Sequence, residues 1–268
     1  MPLRSVLFVL SRAIVLFPFA VPSFAPARAW AATPIKNVVL VHGAWADGSS
    51  WSKLVPLLEA KGLHVVCVQN PLTSFADDVA ATRRIIDAQD GPVLLVGHSY
   101  GGAVITEAGN NAKVAGLVYV AAFAPDAGES SGSLGKSYGP TPGVSELRPI
   151  EDGFLVLTPT GVLEDFAQDL PEAEKAILLA TETPTQGAVL GASITTAAWH
   201  EKPSWFVVAT HDRMISPDQE QATAKRMHAT VLTLPTSHVP MLSKPNDVAD
   251  FIGQAAGGRG TAPTATGN

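Results

Sequence analysis

Cysteine is almost absent from this chain of 268 residues, with Cys67 standing alone. A single thiol closes no internal disulfide, so the fold must hold by packing. Cys67 sits in the run Val65-Val66-Cys67-Val68, where it reads as a small buried core residue rather than a nucleophile. Charge is also scarce, with 16% Asp, Glu, Lys and Arg against 46% hydrophobic residues. That balance excludes global disorder and supplies a sizeable core. The net charge is -6 and no long basic run occurs, which argues against nucleic acid as a partner. No Gly-x-x-x-x-Gly-Lys-Ser/Thr loop is present for phosphate, and no clustered His, Cys or Asp spacing for a metal, so no cofactor is expected. Long hydrophobic runs are missing too. The stretches Val6–Leu10 and Ala13–Phe17 are too short for a membrane span, and Pro18 and Pro22 interrupt that region, so an uncleaved anchor is the lesser reading.

Those stretches fit a different role. Arg4 and Arg12 flank them, and the small-residue segment Pro26–Ala32 follows. Ala27-Arg28-Ala29 and Ala29-Trp30-Ala31 both have the A-x-A form of a cleavage site. Residues 1–31 therefore read as a secretory signal peptide, giving a periplasmic or secreted protein with no stable membrane insertion after cleavage. The arginines are not adjacent, which gives no twin-arginine signal, and no cysteine lies nearby for a lipid anchor. At the other end, residues 257–268 are rich in Gly, Thr, Ala and Pro and read as a flexible tail.

Between these ends the chain alternates strand-like and helix-like segments. Strands are predicted at Asn37–Val41, His64–Val68, Pro92–Val96, Val114–Ala121, Trp205–Ala209 and Thr230–Leu234. Helices are predicted at Ser52–Lys61, Ser74–Gln89, Gly101–Gly109, Pro217–Met227 and Lys244–Ala256. The strands are continuous apolar runs, which implies burial on both faces and a mainly parallel sheet flanked by helices, an α/β fold. Residues 125–203 break the alternation with many Gly, Ser, Thr and Pro residues and helix-like pieces at Val162–Leu170 and Pro171–Thr181. A structureless loop of that length is unusual, so the segment reads as an insertion covering the sheet, with a separate small domain as the alternative. The core is then 35–124 plus 204–256.

The strand Val93-Leu94-Leu95-Val96 runs into Gly97-His98-Ser99-Tyr100-Gly101-Gly102 and then a predicted helix. This is G-x-S-x-G in the strand–turn–helix setting that gives it meaning. The sharp turn holds the serine in a strained conformation, and the flanking glycines remove side chains that would collide. Ser99 is the candidate nucleophile. A serine hydroxyl needs a base, and after such an elbow the chain order is serine, acid, histidine. The Trp205–Ala209 strand leads to Asp212, and Thr230–Leu234 leads to His238. His238 would take the Ser99 proton, and Asp212 would hold the imidazole tautomer. Among rivals, His211 precedes the last strand, His228 falls at a helix surface, and His42 and His98 sit beside turns suited to local hydrogen bonding. Asp218 lies within a helix, Asp247 follows the histidine, and His64 and His200 carry no signal. The oxyanion would be met by the backbone N–H groups of Tyr100 and of Ala44, in the loop after the first strand.

These residues carry a resemblance. Val38-Val39-Leu40-Val41-His42-Gly43-Ala44, then Trp51, Leu54 and Pro56–Ala60, with the elbow and Val120–Asp126, resemble the plant methylesterase and hydroxynitrile lyase family of the α/β-hydrolase superfamily, with its bacterial esterase-like members. The resemblance spans roughly residues 35–255 and is weakest in the insertion. It implies the triad Ser99, Asp212 and His238, and a cap inserted after the sixth strand. The lyases carry a lysine just after the histidine and a threonine in the first loop, where this chain has Val239 and Gly43. Both departures favour an esterase, since the missing cation removes the charge that would suit a cyanide leaving group. Haloalkane dehalogenases resemble the fold, but their nucleophile is a carboxylate. Trp45, Phe123, Tyr138 and Trp199 are candidates for the pocket, with plain core as the other reading for each. The expected partner is a small to medium, mostly apolar ester. A lyase without an acyl-enzyme and an idle ligand-binding protein remain the alternatives. Oligomeric state has no signal in the sequence.

Overall fold

The computed structural model describes residues 35–257. The expected signal segment 1–31 and the tail beyond 257 lie outside them. No helix among the described residues is long and apolar enough to cross a membrane.

The central sheet has six strands, all in parallel pairs: β1 (Asn37–Val41), β2 (His64–Val68), β3 (Val93–Ser99), β4 (Val114–Ala122), β8 (Ser204–Ala209) and β9 (Thr230–Leu234), in the order β2-β1-β3-β4-β8-β9. The continuous apolar runs have the expected cause. In β1, Val39 and Val41 enter one core cluster while Val38 and Leu40 enter the other. β3 divides in the same way, Val93 and Leu95 against Leu94 and Val96. These two central strands thus bury both alternating faces, whereas edge strand β9 leaves Val231 and Thr233 exposed. On the first face pack α2 (Phe75–Ala88) and α3 (Gly101–Ala108), through Val79, Ile86, Val104 and Ile105. On the second pack α1 (Leu54–Glu59) and α9 (Pro245–Ala256), through Leu54, Leu58, Val248 and Ile252. Burying each such aliphatic side chain contributes roughly 1.5–3 kcal/mol.

Edge strand β2 departs from the pattern. Cys67 is only half-buried there rather than a core residue. Partial burial still pushes its thiol up to about 11, so it is no thiolate nucleophile at neutral pH. β3 also runs three residues past the predicted Val96, up to Ser99, because β4 continues to pair with it across a register shift at His98/Ser99.

Residues 125–203 carry α4 (Ser131–Lys136), α5 (Pro142–Ser145), α6 (Glu172–Thr181), a π-helical turn at Gly161–Phe166 and a three-stranded antiparallel sheet. That sheet comprises β5 (Leu147–Pro149), β6 (Phe154–Leu157) and β7 (Thr185–Gln186). The segment leaves the sheet after β4, the fourth strand of the described chain. The resemblance placed it after a sixth, so two fewer strands precede it among the described residues. After it come α7 (Pro217–Arg226), between β8 and β9, and the short α8 (Pro240–Ser243).

The strand order places the site. From β1 the chain moves outward to β2, then crosses back to pair β3 on the other side of β1. In open parallel sheets such a reversal opens a crevice at the carboxyl ends of the two strands. Here those ends are the loop His42-Gly43-Ala44 and the Ser99 turn.

Candidate active site

Ser99 has φ +53, in the left-handed region that a side-chain-bearing residue rarely occupies. The glycines on either side permit the turn by close approach. A Cβ on Gly97 would lie 2.6 Å from Gly101 O, and one on Gly101 would lie 2.5 Å from Val41 O. Tyr100 follows as the N-cap of α3, so Ser99 stands at the end of β3 directly before a helix N-terminus.

The loops after β8 and β9 bring Asp212 and His238 together. His238 Nδ1 and Asp212 Oδ2 are 2.5 Å apart, with both side chains almost wholly enclosed. Asp212 Oδ1 accepts the Met214 N–H at 2.6 Å and the Ile215 N–H at 2.9 Å. A carboxylate held by two backbone donors accepts the Nδ1 proton, which leaves Nε2 of His238 as the basic nitrogen. His98, the residue before the serine, holds the same loop: its Nε2 donates to His238 O at 2.8 Å. Its ring lies 4.7 Å from the His238 ring, centroid to centroid, and Phe166 covers His238 at 5.1 Å. Burial, reinforced by neighbouring His238, keeps His98 neutral by lowering its pKa well below the usual range. Among the described residues no hydrogen bond closes the last step from Ser99 Oγ to the His238 ring, a gap common in unliganded enzymes of this chemistry.

Ala44 and Tyr100 line one cavity with Ser99. The loop after β1 is fixed on both sides of Ala44. Trp45 N donates to Thr185 Oγ1 at 3.0 Å, and His42 is clamped by Gly43 O (2.8 Å) and Asn70 N (2.9 Å). Ala44 N–H has no hydrogen-bond partner among the described residues. Tyr100 is anchored by its hydroxyl, which donates to Asp78 Oδ2 at 2.7 Å while Leu72 N donates to Asp78 Oδ1 at 2.8 Å. Asp78 is fully enclosed, and burial raises its pKa above the ordinary carboxylate range despite these two donors.

The cavity holds about 420 Å³ and its wall is mostly apolar. Trp45 and Phe123 line it as expected. Tyr138 and Trp199 do not. Tyr138 lies on the turn after α4, 43% exposed to solvent. Trp199 is buried elsewhere, donating to Pro125 O at 3.1 Å with the Arg226 guanidinium 5.5 Å above its ring. Sequence reasoning missed the other lining groups: residues of α4 and the turn after it (Ser131, Gly132, Gly135, Lys136, Gly139, Pro140, Thr141), Val144, Leu147 and Leu190, and Met214, Ile215 and Gln219 after Asp212. Their only sequence signal was membership of the insertion or nearness to Asp212. Of the rival residues, His211, His228, Asp218 and Asp247 are exposed, and His200 pairs with Asp126 at 2.9 Å on the surface.

The insertion reaches the same loops. Arg213 Nε donates to Asp165 Oδ1 at 2.6 Å, and Ser237 N donates to Asp169 Oδ2 at 2.9 Å. These contacts flank Asp212 and His238 from the cap side.

Comparison with known proteins agrees with this architecture. Residues 38–251 match the family model described as the Alpha/beta hydrolase family. A pyrethroid hydrolase of Sphingobium wenxiniae is 28% identical, over 83% of this chain and 88% of that protein. Methylesterase 2 of Arabidopsis thaliana is 27% identical, over 81% of this chain and 94% of its own length. A crystal structure of a pyrethroid hydrolase superposes with a TM-score of 0.70 at 25% identity, covering 83% of this chain and 98% of that one. With the match running from the first strand into the closing helix, the chain belongs to the alpha/beta hydrolase family.

Proposed function

We propose that this protein cleaves a small to medium, mostly apolar carboxylic ester through an acyl-enzyme on Ser99. The broader statement, carboxylic ester hydrolysis, rests on the family and on relatives named as esterases and hydrolases. The observation that carries the finer one is Ser99 at φ +53 on the floor of an apolar cavity, with the His238–Asp212 pair joined to the same strand end through His98.

Ser99 Oγ attacks the ester carbonyl as His238 Nε2 takes its proton. The oxyanion is met by the N–H groups of Ala44 and Tyr100. His238 then protonates the departing alkoxide, and water activated by the same ring releases the acid. Asp212 holds the ring and stabilises the imidazolium. Position 239 supports hydrolysis over cyanohydrin cleavage, because Val239 is packed in the core and supplies no cation. Position 43 agrees, since a Cβ there would lie 2.7 Å from Ser99 Cβ. The A-x-A sites near Ala29 and Ala31 support export to the periplasm or medium.

The test is turnover of p-nitrophenyl acetate and butyrate. Wild type is expected to show a burst of nitrophenol and a mass increase on Ser99, and Ser99→Ala to lose at least about 10³-fold in kcat. Equal slow hydrolysis by both proteins would refute the assignment.

A further inference from the structure

One buried acid has no part in this mechanism. Glu220 lies in the first turn of α7, fully enclosed behind Asp212. Its Oε2 accepts the Ala209 N–H at 2.9 Å. Its Oε1 is buried and meets no donor among the described residues. Glu220 and Asp212 flank the same residue, since Asp212 N donates to Ala209 O at 3.2 Å, and the Asp212 carboxyl is the acidic group that acts on Glu220. Two neighbouring buried carboxylates do not both ionise without a cation between them, and the adjacent Arg213 is turned to Asp165. One proton must therefore lie on the pair. Asp212 is already the acceptor for three N–H groups, those of Met214, Ile215 and the His238 ring. The proton falls to the other partner. Burial and then the Asp212 charge push the Glu220 carboxyl well above the ordinary carboxylate range, in the same direction.

We propose that Glu220 is a positioning residue for the triad: a neutral carboxylic acid whose Oε1–H donates to Asp212 and so fixes that carboxylate against the His238 ring. The charged groups it faces are Asp212 directly and, beyond it, the His238 ring. Asp218 on the same helix is exposed. Held this way, the pair places one negative charge behind the imidazolium rather than two. The catalytic consequence rests on the triad assignment above, whereas the Glu220 proton does not.

The experiment compares wild type with Glu220→Gln and Glu220→Leu in the full chain. An amide keeps both a donor for Asp212 and an acceptor for Ala209 N–H. E220Q is therefore expected to retain at least about a third of wild-type kcat/KM on p-nitrophenyl butyrate, with the acid limb of the pH profile in place. E220L removes the donor, and is expected to lose about 10-fold in kcat with little change in KM and to move the acid limb to higher pH. Difference infrared spectra of wild type against E220Q should show the carbonyl stretch of a protonated carboxylic acid, present only in wild type. Absence of that band overturns the proposal, and so does a downward move of the acid limb in E220Q, which marks loss of a second negative charge. A loss beyond 10-fold in E220Q also overturns it. If wild type turns over no ester, the triad reading fails while the infrared band still decides the state of Glu220.

Discussion

Gly43→Ala puts the oxyanion loop to a quantitative test. The added Cβ would lie 2.7 Å from Ser99 Cβ, 3.1 Å from His98 O and 3.3 Å from His98 Nδ1. Ordinary contact begins at 3.4 Å, so the first of these must open by about 0.7 Å. None of the three partners is the free end of a flexible side chain. Ser99 is held by its turn, and the His98 ring by its bond to His238 O. The loop after β1 must therefore move, and Ala44 N–H, the adjacent donor, moves with it. Losing one oxyanion donor costs about 2.7–4 kcal/mol of transition-state stabilisation. A shift of about 0.7 Å short of full loss should lower kcat about 10- to 100-fold. Overpacking should also cost about 1–3 kcal/mol of stability. The assay is kcat on p-nitrophenyl butyrate alongside a thermal melt. Gly191→Ala is the control, because a Cβ there meets nothing within 4 Å. Wild-type kcat in Gly43→Ala would refute the placement of Ala44 N–H in the oxyanion site.

Two further perturbations test the supporting structure. Tyr100→Phe removes the donor to Asp78 Oδ2 and should destabilise by about 1.5–3 kcal/mol at about pH 8, a fall of about 3–10 °C in Tm. A carboxyl with a raised folded-state pKa contributes stability that is complete at low pH and is lost as pH rises through that pKa, and the variant should steepen the loss. A destabilisation equal at low and high pH would contradict it. Arg226→Ala cuts the bonds to Glu129 (3.0 and 2.9 Å) and to Ala124 O (2.8 Å), where the insertion leaves β4. Hydrogen exchange should rise in 125–136 and KM should rise more than kcat falls, with a stability cost of about 1 kcal/mol for this partly exposed pair. Unchanged exchange there would reject the tether.

Much of the sheet was legible in the chain, because strands buried on both faces leave continuous apolar runs. Asn37–Val41 is such a run, while the partly buried edge strands His64–Val68 and Thr230–Leu234 were legible from their β-branched residues. Ser99 was legible for a related reason, since its strained turn needs glycine at fixed offsets from the serine itself. The insertion was legible only as a break in the alternation. Its antiparallel strands are two to four residues long, too short to carry a period.

The rest was settled by contacts between distant segments. Asp212 and His238 were reached by order along the chain, but their 2.5 Å pairing joins residues on two different loops. His98 read as a local hydrogen-bonding residue, and it bonds a carbonyl 140 positions away. Asp78 and Glu220 stand in the first turns of helices, where an acid complements the helix dipole, and nothing in the sequence sets them apart. Folding encloses both beside catalytic candidates. Tyr138 and Trp199 were indistinguishable by type from Trp45 and Phe123, because an aromatic side chain does not encode which cavity it meets. Sequence alone determined the features whose physics is local: backbone strain, side-chain period and chain order. Only the tertiary structure decided which polar groups lose water and which partner then satisfies them, since burial is a property of neighbours far apart in the chain.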